Sequence, residues 1–372
     1  MYNSDRLQKI ETEWESIEQS YLTDPYITPQ NRAEEYQKVM ESHKRGEPYN
    51  PQFVYLSPPE FPIHRIRRFM GSLDTTSSPI EDLYFEKARN ELLILQCLLS
   101  HAPADITAMT CLIHGMPDAK LLKESKHILA TIPTDDADEP QTVSAETAAS
   151  KMQKVLDAAG IEGWHAVVKE KMNAELSVKR LEKQVQIRKG IMLPERDLRR
   201  LIVHEIGVHV IRIVNGSRQP IKVFQAMPGY MTTEEGIAVY SEYRADLLKN
   251  ETLRKYAARV IAANLSLSQP FSQVFATIVK DVEPITAFEI AARAKRGFTD
   301  TAQPGSHVKD LVYFKGFLLI KDHLEKHPDD YPVLFTGKFA LHHLPLVKSL
   351  LAEKRISMPS LLPDDLMQMP AN

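Results

Sequence analysis

One short stretch, "VHEIGVHVIR" at residues 203–212, constrains the fold of this chain more than any other. It places His204 and His209 five residues apart in an apolar segment, with Glu205 directly after the first histidine. On a regular α-helix, residues five apart lie about 140° out of alignment, so the two imidazoles cannot share one metal ion. A π-type turn, with its i→i+5 bonding, returns them to one face, and Gly207 lowers the cost of that distortion. The spacing therefore predicts a π-bulge between the two histidines.

Two interpretations fit the histidine pair by spacing alone. In the first, both histidines are hydrogen-bonded residues of the protein core. In the second, they bind a metal ion through the distorted turn. Glu205 favours the second interpretation, because a carboxylate among Leu, Ile and Val side chains is costly unless it is paired or lies near a metal.

A third metal ligand is offered by the downstream segment "YMTTEEGIAVYSEYRADLL". A catalytic zinc ion usually has three protein ligands and one open position for water. Glu234 and Glu235 stand at the start of this predicted helix. The alternative is a capping box, in which Glu235 reaches back to an N-cap residue at Thr232. From the residues alone both interpretations remain open.

Composition and charge narrow the class of protein. With 43% hydrophobic and 26% charged residues the chain is globular, and its net charge of −3 gives no overall footprint for nucleic acid. The N-terminal "MYNSDRLQKIETEWESIEQ" has no apolar core of a signal peptide, and no run approaches 18 apolar residues. Two cysteines, Cys97 and Cys111, do not suggest a disulfide framework. We therefore expect a cytoplasmic protein with no nucleic-acid partner and no membrane partner.

The pattern along the chain divides it into four segments. Residues 1–50 form an N-terminal extension with Pro and Asn breaks, and residues 51–132 show helical periodicity. Residues 133–144 are acidic, carry prolines and lack apolar periodicity, which predicts a surface linker. Residues 145–372 form the domain that contains the histidine motif.

Within this last domain the sequence predicts a small antiparallel sheet followed by the motif helix. Alternation at Val185 and Ile187 indicates a strand near residues 184–188. The motif helix is predicted to begin at Pro194 and to end at Asn215-Gly216.

Several of these motifs resemble the tyrosine carboxypeptidase family. The segments are "HEIGVHVIRIVNG", "TTEEGIAVYSE" and the C-terminal "LFTGKFALHHLPLV" with "ISMPSLLP". This family of HExxxH zinc peptidases includes the microtubule-associated tyrosine carboxypeptidase and bacterial members formerly described as a domain of unknown function. The resemblance extends more weakly from about residue 50 to the C-terminus.

The resemblance implies a fold and a metal site. The fold is α+β and predominantly helical, with a zincin-like catalytic core, a small antiparallel sheet and an N-terminal helical region; residues 145–372 are then the zinc peptidase domain. The site holds one Zn²⁺ per chain, with Glu205 as the catalytic base and Glu234 as a flanking residue. The implied metal ligands are His204, His209 and Glu235.

The activity implied by the resemblance is zinc-dependent removal of a C-terminal, aromatic, tyrosine-like residue from a peptide or protein tail. Such an enzyme needs a cation for the terminal carboxylate, preferably an arginine. Arg212, Arg293 and Arg296 are the candidates. Arg212 also fits a buried structural arginine, and the other two also fit a solvated helix end. Tyr230 and Tyr313 are candidates for oxyanion stabilisation.

One segment departs from the family pattern. "TAQPGSHVKDLVYFKG" keeps Lys309, Asp310, Tyr313 and Lys315, but it lacks the Gly-Gly start and the complete Thr-Lys-Asp run of relatives. If this segment lines the substrate pocket, Tyr313 and Lys315 contact the substrate, and the side-chain preference is left open.

Other functions fit the same core. A zinc endopeptidase or aminopeptidase would use the same three ligands, and a non-catalytic regulatory protein could retain the metal site. Glu205 argues against the last, because a structural zinc site needs no general base. The ligand set suits zinc best, although other divalent ions bind such sites. The strand near 184–188 is a further candidate, for binding a peptide by edge addition.

Overall fold

The computed structural model describes residues 4–134, 139–170, 172 and 174–364. Helices make up 61% of the chain and strands form only a small sheet, which confirms the predominantly helical α+β fold. The chain packs into two compact units, residues 1–134 with 250–314 and residues 135–249 with 315–372. The predicted domain boundaries and the zincin-like core stay predictions.

The helices of the N-terminal segment begin where the sequence supplies caps or prolines. Ser78 and Asp118 accept hydrogen bonds from the backbone N–H groups of Glu81 and Leu121, as N-cap side chains do. In the described part of this segment the α-helices are α1 (Ser4–Glu18), α2 (Arg32–Arg45), α3 (Ile63–Gly71), α4 (Pro79–Ser100), α5 (Pro103–His114) and α6 (Ala119–Thr131).

A short segment leads from these helices to the sheet. Residues 135–138 of the predicted acidic linker lie outside the described residues, and its last two residues form a strand rather than a loop. Ser144 then caps the next helix through the Thr147 N–H. The elements are β1 (Val143–Ser144), α7 (Ala145–Ala158), β2 (His165–Lys169), β3 (Leu176–Lys179), β4 (Gln184–Arg188) and β5 (Met192–Leu193).

The three-stranded sheet has the order β2-β4-β3. β3 runs antiparallel to β4 with Leu176 opposite Ile187, whereas β2 runs parallel to β4 with His165 opposite Gln184. β1 and β5 pair separately as an antiparallel ribbon. The predicted strand at 184–188 is therefore confirmed, but the suggestion that it binds a peptide by edge addition is wrong. β4 is the central strand, so both of its edges are already paired.

The motif helix continues from a first α-helical part into a π-helix and back. It begins at Glu195, one residue after the predicted start, with Pro194 as its N-cap, and the π-helical part confirms the predicted distortion. Gly216 does not end the helix, which continues to Ser217. A Cβ on Gly216 would lie 2.4 Å from the Phe224 carbonyl oxygen, so this glycine allows a close backbone approach instead. The parts are α8 (Glu195–Leu201), the π-helix (Ile202–Val210) and α9 (Ile211–Ser217).

The described residues that follow the motif helix form mostly helices. Among the described residues, no helix combines the length and the apolar character that crossing a membrane requires. Short 3-10 turns occur at Asp24–Tyr26, Lys222–Gln225, Val308–Asp310 and Leu341–His343. The remaining α-helices are α10 (Met231–Arg244), α11 (Asn250–Ser266), α12 (Phe271–Ile278), α13 (Pro284–Ala294), α14 (Leu311–Lys326), α15 (Asp330–Val333) and α16 (Leu344–Ala352).

Each unit has its own apolar core. In the first unit α2, α11, α12 and α13 enclose a core that includes Phe53, Phe271 and Phe288. In the second unit Val185 and Ile187 of β4 are fully buried, as are Ile206 and Val208 of the π-helix. Burial of these four side chains holds the π-helix against the sheet, and β3 packs directly on the π-helix. The histidine motif therefore stands on a rigid support.

Candidate metal centre

Three side chains of the second unit converge at the π-helix. The Nε2 atoms of His204 and His209 lie 3.5 and 3.8 Å from Oε2 of Glu235. Potential ligand atoms of the three residues all lie within 4.8 Å of one another. Tetrahedral zinc, with bonds of about 2.0–2.1 Å, separates its ligand atoms by about 3.3 Å. The two histidine–carboxylate distances are therefore close to the separation that one shared ion would impose.

The π-helix is what brings the histidines together. Its i→i+5 register returns residues five apart to one face, and the two imidazole rings stand 4.9 Å apart at 81° to each other. Both residues are buried. The ring nitrogen of each histidine that faces away from Glu235 has a carboxylate partner, so the two sides of each imidazole have different surroundings.

Glu234 contacts Nδ1 of His209, the ring nitrogen that faces away from Glu235. Its Oε1 lies 2.7 Å from Nδ1 of His209 and 2.9 Å from Nζ of Lys338, and its Oε2 accepts a hydrogen bond from Arg212. Burial raises the pKa of the Glu234 carboxyl, but Lys338 and Arg212 outweigh burial and hold it well below its usual range. An ionised Glu234 makes Nδ1 of His209 the donor and leaves the Nε2 lone pair for a metal.

Glu242 performs the same task for His204. Its Oε1 lies 2.7 Å from Nδ1 of His204 and accepts from Nη1 of Arg200 at 3.1 Å. Arg200 also forms an ion pair with Asp197, and Asp197 in turn pairs with Lys249 at 3.0 Å. Negative and positive charges therefore alternate along this series of ion pairs. Next to His209, by contrast, the carboxylate of Glu234 faces two cations.

The surroundings of Glu235 fit a cation. Burial alone would raise the pKa of this carboxyl, but the polar contact with His204 and the charge of the nearby His209 lower it, so Glu235 is ionised. Its Oε2 is buried and has no hydrogen-bond partner in the described structure. A buried anionic oxygen without a donor is costly, and a metal ion between it and the two imidazoles removes that cost.

The capping-box interpretation of Glu235 is wrong. α10 begins at Met231 and its N-cap is Tyr230, so Thr232 lies inside the helix and caps nothing. The interpretation of the histidines as ordinary core residues explains their Nδ1 contacts. It does not explain why both Nε2 atoms face an unpartnered carboxylate oxygen.

Glu205, the predicted base, lies in the π-helix beside the first histidine and is partly buried. Burial by itself lowers the pKa of His204. The polar contact with Glu235, the hydrogen bond with Glu242 and the charges of Glu242 and Glu205 outweigh burial and raise the pKa of His204 well above its usual value. Glu205 therefore lies close enough to the site to act on it electrostatically. Its catalytic role stays a prediction.

The predicted substrate contacts are divided between the two units. Arg212 is fully buried and donates to Glu234 and to the carbonyl oxygens of Leu334 and Phe339, which is the arrangement of a structural arginine. Lys315 also belongs to the second unit.

The remaining predicted substrate contacts are Tyr230, Arg293, Arg296 and Tyr313. The Tyr230 ring lies 5.3 Å from Nζ of Lys338 in the second unit. Arg293, Arg296 and Tyr313 pack in the first unit.

Sequence reasoning missed two residues that support the candidate ligands. Glu242 follows Glu235 by seven residues, or two helical turns, and that spacing was a usable signal for a shared face. Lys338 carried no such signal. It reaches Glu234 because its backbone N–H donates to the Phe224 carbonyl oxygen at 2.8 Å, a contact distant in sequence.

Comparison with known proteins gives a consistent family assignment. The profile of the family described as microtubule-associated tyrosine carboxypeptidase matches residues 43–372. Microtubule-associated tyrosine carboxypeptidase 1 of Mus musculus is 35% identical over 140 residues, which cover 36% of this chain and 29% of that protein. The putative tyrosine carboxypeptidase MATCAP2 of Homo sapiens is 30% identical over 177 residues, covering 46% of this chain and 33% of that protein. The chain thus spans about a third of the length of the curated relatives it matches.

Proposed function

Because the chain belongs to the microtubule-associated tyrosine carboxypeptidase family, we propose that it is a zinc-dependent carboxypeptidase. Its substrate is a peptide or protein tail, from which it removes a C-terminal aromatic residue such as tyrosine. The observation that carries the proposal is the buried, unpartnered Oε2 of Glu235, which faces the Nε2 atoms of His204 and His209.

His204, His209 and Glu235 would hold the ion. When bound there, zinc supplies Lewis acidity toward the scissile carbonyl and lowers the pKa of a coordinated water. Glu234 and Glu242 keep both imidazoles in the tautomer that presents Nε2, and this also fixes the ring orientations.

Glu205 is the proposed general base. Its carboxylate accepts a proton from the attacking water and passes it to the leaving amine, so the same group acts first as base and then as acid. Tyr230 is the proposed oxyanion donor of the second unit, because its ring lies against Lys338 next to the Glu234–His209 pair.

The outer edge of β3 is a candidate binding site for the substrate tail. This strand packs on the π-helix and is paired on only one side among the described strands, so an extended peptide can add to its outer edge. Arg293, Arg296, Tyr313 and Lys315 stay proposed substrate contacts. Arg212 is a weaker proposal, because its donors are already used. By the names of the relatives, the tail of a microtubule protein is one candidate substrate.

A matched set of peptides tests the proposal. Mass spectrometry follows peptides that end in Tyr, with a free or an amidated C-terminus, and versions with Ala or Phe in that position. We expect loss of one C-terminal residue from the free peptide. Amidation should slow cleavage by about 30- to several-thousand-fold, because it leaves a binding cation unpaired. Changing Tyr to Ala should weaken cleavage by roughly 10- to 200-fold.

Two variants complete this test. Glu205→Gln should reduce the rate by about 10²- to 10⁴-fold, whereas Glu162→Gln, an exposed glutamate of the same unit, should not. Internal cleavage or equal cleavage of the amidated peptide would favour an endopeptidase, and loss of N-terminal residues an aminopeptidase. A protein that binds zinc and cleaves none of the peptides would fit the non-catalytic regulatory alternative.

A further inference from the structure

A series of charged side chains leads away from Nδ1 of His204. Glu242 contacts this nitrogen through Oε1 at 2.7 Å, and the same oxygen accepts a hydrogen bond from Nη1 of Arg200 at 3.1 Å. Arg200 also pairs with Asp197, with 3.5 Å between Nε and Oδ1. Nζ of Lys249 lies 3.0 Å from Oδ2 of Asp197. We refer to Glu242, Arg200, Asp197 and Lys249 as the charge series.

Glu242 is the member of the charge series that most needs a cation. Its side chain is fully buried, and among the described residues its Oε2 has no hydrogen-bond partner, so both of its polar contacts go through Oε1. A buried carboxylate is strongly unfavourable unless a positive group compensates it. Arg200, with 13% of its side chain exposed, supplies that charge. The orientation of the His204 ring therefore depends on how firmly Arg200 is held against Glu242.

Arg200 stands between two carboxylates. Its guanidinium is shared between the buried Glu242 on α10 and the partly buried Asp197, which lies one turn earlier on α8. A second cation beside Asp197 decides this competition, because it satisfies that carboxylate and leaves Arg200 for Glu242. Lys249 is placed to do this, since it contacts the Asp197 oxygen that Arg200 does not. Only 11% of the Lys249 side chain is exposed, so solvent screens this ion pair weakly.

The turn that carries Lys249 is itself fixed by α8 and α10. The N–H of Leu247 donates to the Glu242 carbonyl oxygen at 2.9 Å. The carbonyl oxygen of Asp246 accepts from Nη2 of Arg196 at 3.4 Å. Asp246 also has a φ of 55°, a left-handed conformation that a residue other than glycine adopts where its surroundings hold it. The turn therefore presents Lys249 to α8 in a defined position.

We propose that Lys249 is a positioning residue for the candidate metal centre and that it sets the zinc affinity through Arg200. By satisfying Asp197, Lys249 keeps Arg200 on the buried carboxylate of Glu242. Glu242 in turn holds Nδ1 of His204, so that Nε2 faces the ion. The inference rests on the proposed function, in which His204 binds zinc.

Zinc titration of the full chain against a competing chelator tests this without any peptide cleavage. We expect Lys249→Met to weaken zinc binding by about 3- to 30-fold, because Asp197 then competes fully for Arg200. Lys249→Arg keeps a positive charge beside Asp197 and should leave the affinity within about twofold. Lys154→Met, which changes an exposed lysine of α7 in the same unit, is the matched control and should leave the affinity unchanged.

A second substitution distinguishes this role from a contribution to folding alone. Asp197→Asn removes the carboxylate that competes for Arg200, so adding it to Lys249→Met should return the affinity to within about twofold of the wild type. Packing lost around position 249 would not be repaired in this way. Visible absorption of the Co²⁺-loaded protein gives a second readout, because its bands depend on the coordination geometry. We expect Lys249→Met to change this spectrum and the double variant to restore it.

Each outcome supports or overturns the proposal. Unchanged zinc affinity in Lys249→Met, or a loss that Asp197→Asn does not repair, would overturn it. Thermal unfolding of each variant identifies a loss of affinity that comes from misfolding, and Lys249→Gln then takes the place of Lys249→Met.

Peptide cleavage by the wild-type protein is measured separately. Zinc binding that depends on Lys249, without cleavage of any peptide, contradicts only the proposed carboxypeptidase activity. Cleavage together with unchanged zinc affinity in Lys249→Met contradicts only the role of Lys249, and a wild-type protein that binds no zinc contradicts both.

Discussion

The backbones of α10 and α14 meet at Gly236 and Gly316. A Cβ on Gly236 would lie 2.4 Å from the Gly316 carbonyl carbon and oxygen, and a Cβ on Gly316 would lie 2.1 Å from the Thr232 carbonyl oxygen. No side chain fits in either place without moving a helix. Since Glu235 directly precedes Gly236, we expect this contact to set how far the Glu235 carboxylate reaches into the candidate metal centre.

We therefore expect Gly316→Ala to weaken zinc binding by about 10- to 100-fold, as loss of a supporting contact typically does. The added methyl group must push α10 away from its position and Glu235 moves with it. Gly71→Ala, where a Cβ meets nothing within 4 Å, is the control. Zinc titration against a competing chelator measures the effect, and unchanged affinity in Gly316→Ala would show that the helix contact does not position Glu235.

Substitutions of the two neighbouring glutamates, Glu234 and Glu235, should have different effects on the zinc content of the purified protein. Glu235→Ala removes a proposed ligand and should leave the purified protein without stoichiometric zinc. Glu234→Gln removes only the charge that holds His209 and should keep the metal with about 10- to 100-fold lower affinity. Metal analysis after dialysis decides, and a protein that loses zinc with Glu234→Gln and keeps it with Glu235→Ala would reverse the assignment.

The pH dependence of stability should have a contribution from Glu81. Its carboxylate is buried and accepts hydrogen bonds from Nε and Nη2 of Arg6 at 2.7 and 2.6 Å and from the backbone N–H of Asp74. The Arg6 bond exceeds the opposing effect of burial, so the pKa of Glu81 is lower in the folded protein. A lowered folded pKa means that this stabilisation is complete above the unfolded value of about 4.3 and is lost as the pH falls through the folded value.

Glu81→Gln should therefore reduce the free energy of unfolding by about 1–3 kcal/mol at pH 7, and this difference should shrink as the pH falls below about 4. Urea unfolding followed by tryptophan fluorescence, to which Trp14 of the same unit contributes, measures it. The exposed Glu13→Gln is the control. A difference that stays constant from pH 7 to pH 3 would show that the Glu81 charge contributes nothing.

Sequence alone could predict those parts of the site that depend on spacing along one helix. The π-helix followed from the five-residue spacing of His204 and His209, because helical geometry allows one way to align them. The capping box at Thr232 was wrong because the N-cap of the helix is Tyr230, two residues earlier, and local patterns locate helix ends poorly. The contact of Lys338 with Glu234 could not be predicted from the sequence, since it depends on tertiary packing that no local pattern encodes.

The last prediction concerns Arg212, which the sequence offered as a carboxylate contact and which the structure places in the core. Its guanidinium bonds Glu234 and the carbonyl oxygens of Leu334 and Phe339, and none of the side chain is exposed. Arg212→Met would leave Glu234 with Lys338 as its remaining cation and two buried carbonyl groups without donors. We expect a loss of about 3–5 kcal/mol in the free energy of unfolding, as for other broken buried ion pairs. Arg199→Met, an exposed arginine of the same unit, should change it by less than about 0.5 kcal/mol. Urea unfolding gives both values, and peptide cleavage by the folded protein gives KM. A variant at position 212 that is as stable as the wild type but has a KM raised 30-fold or more would make Arg212 a substrate contact after all.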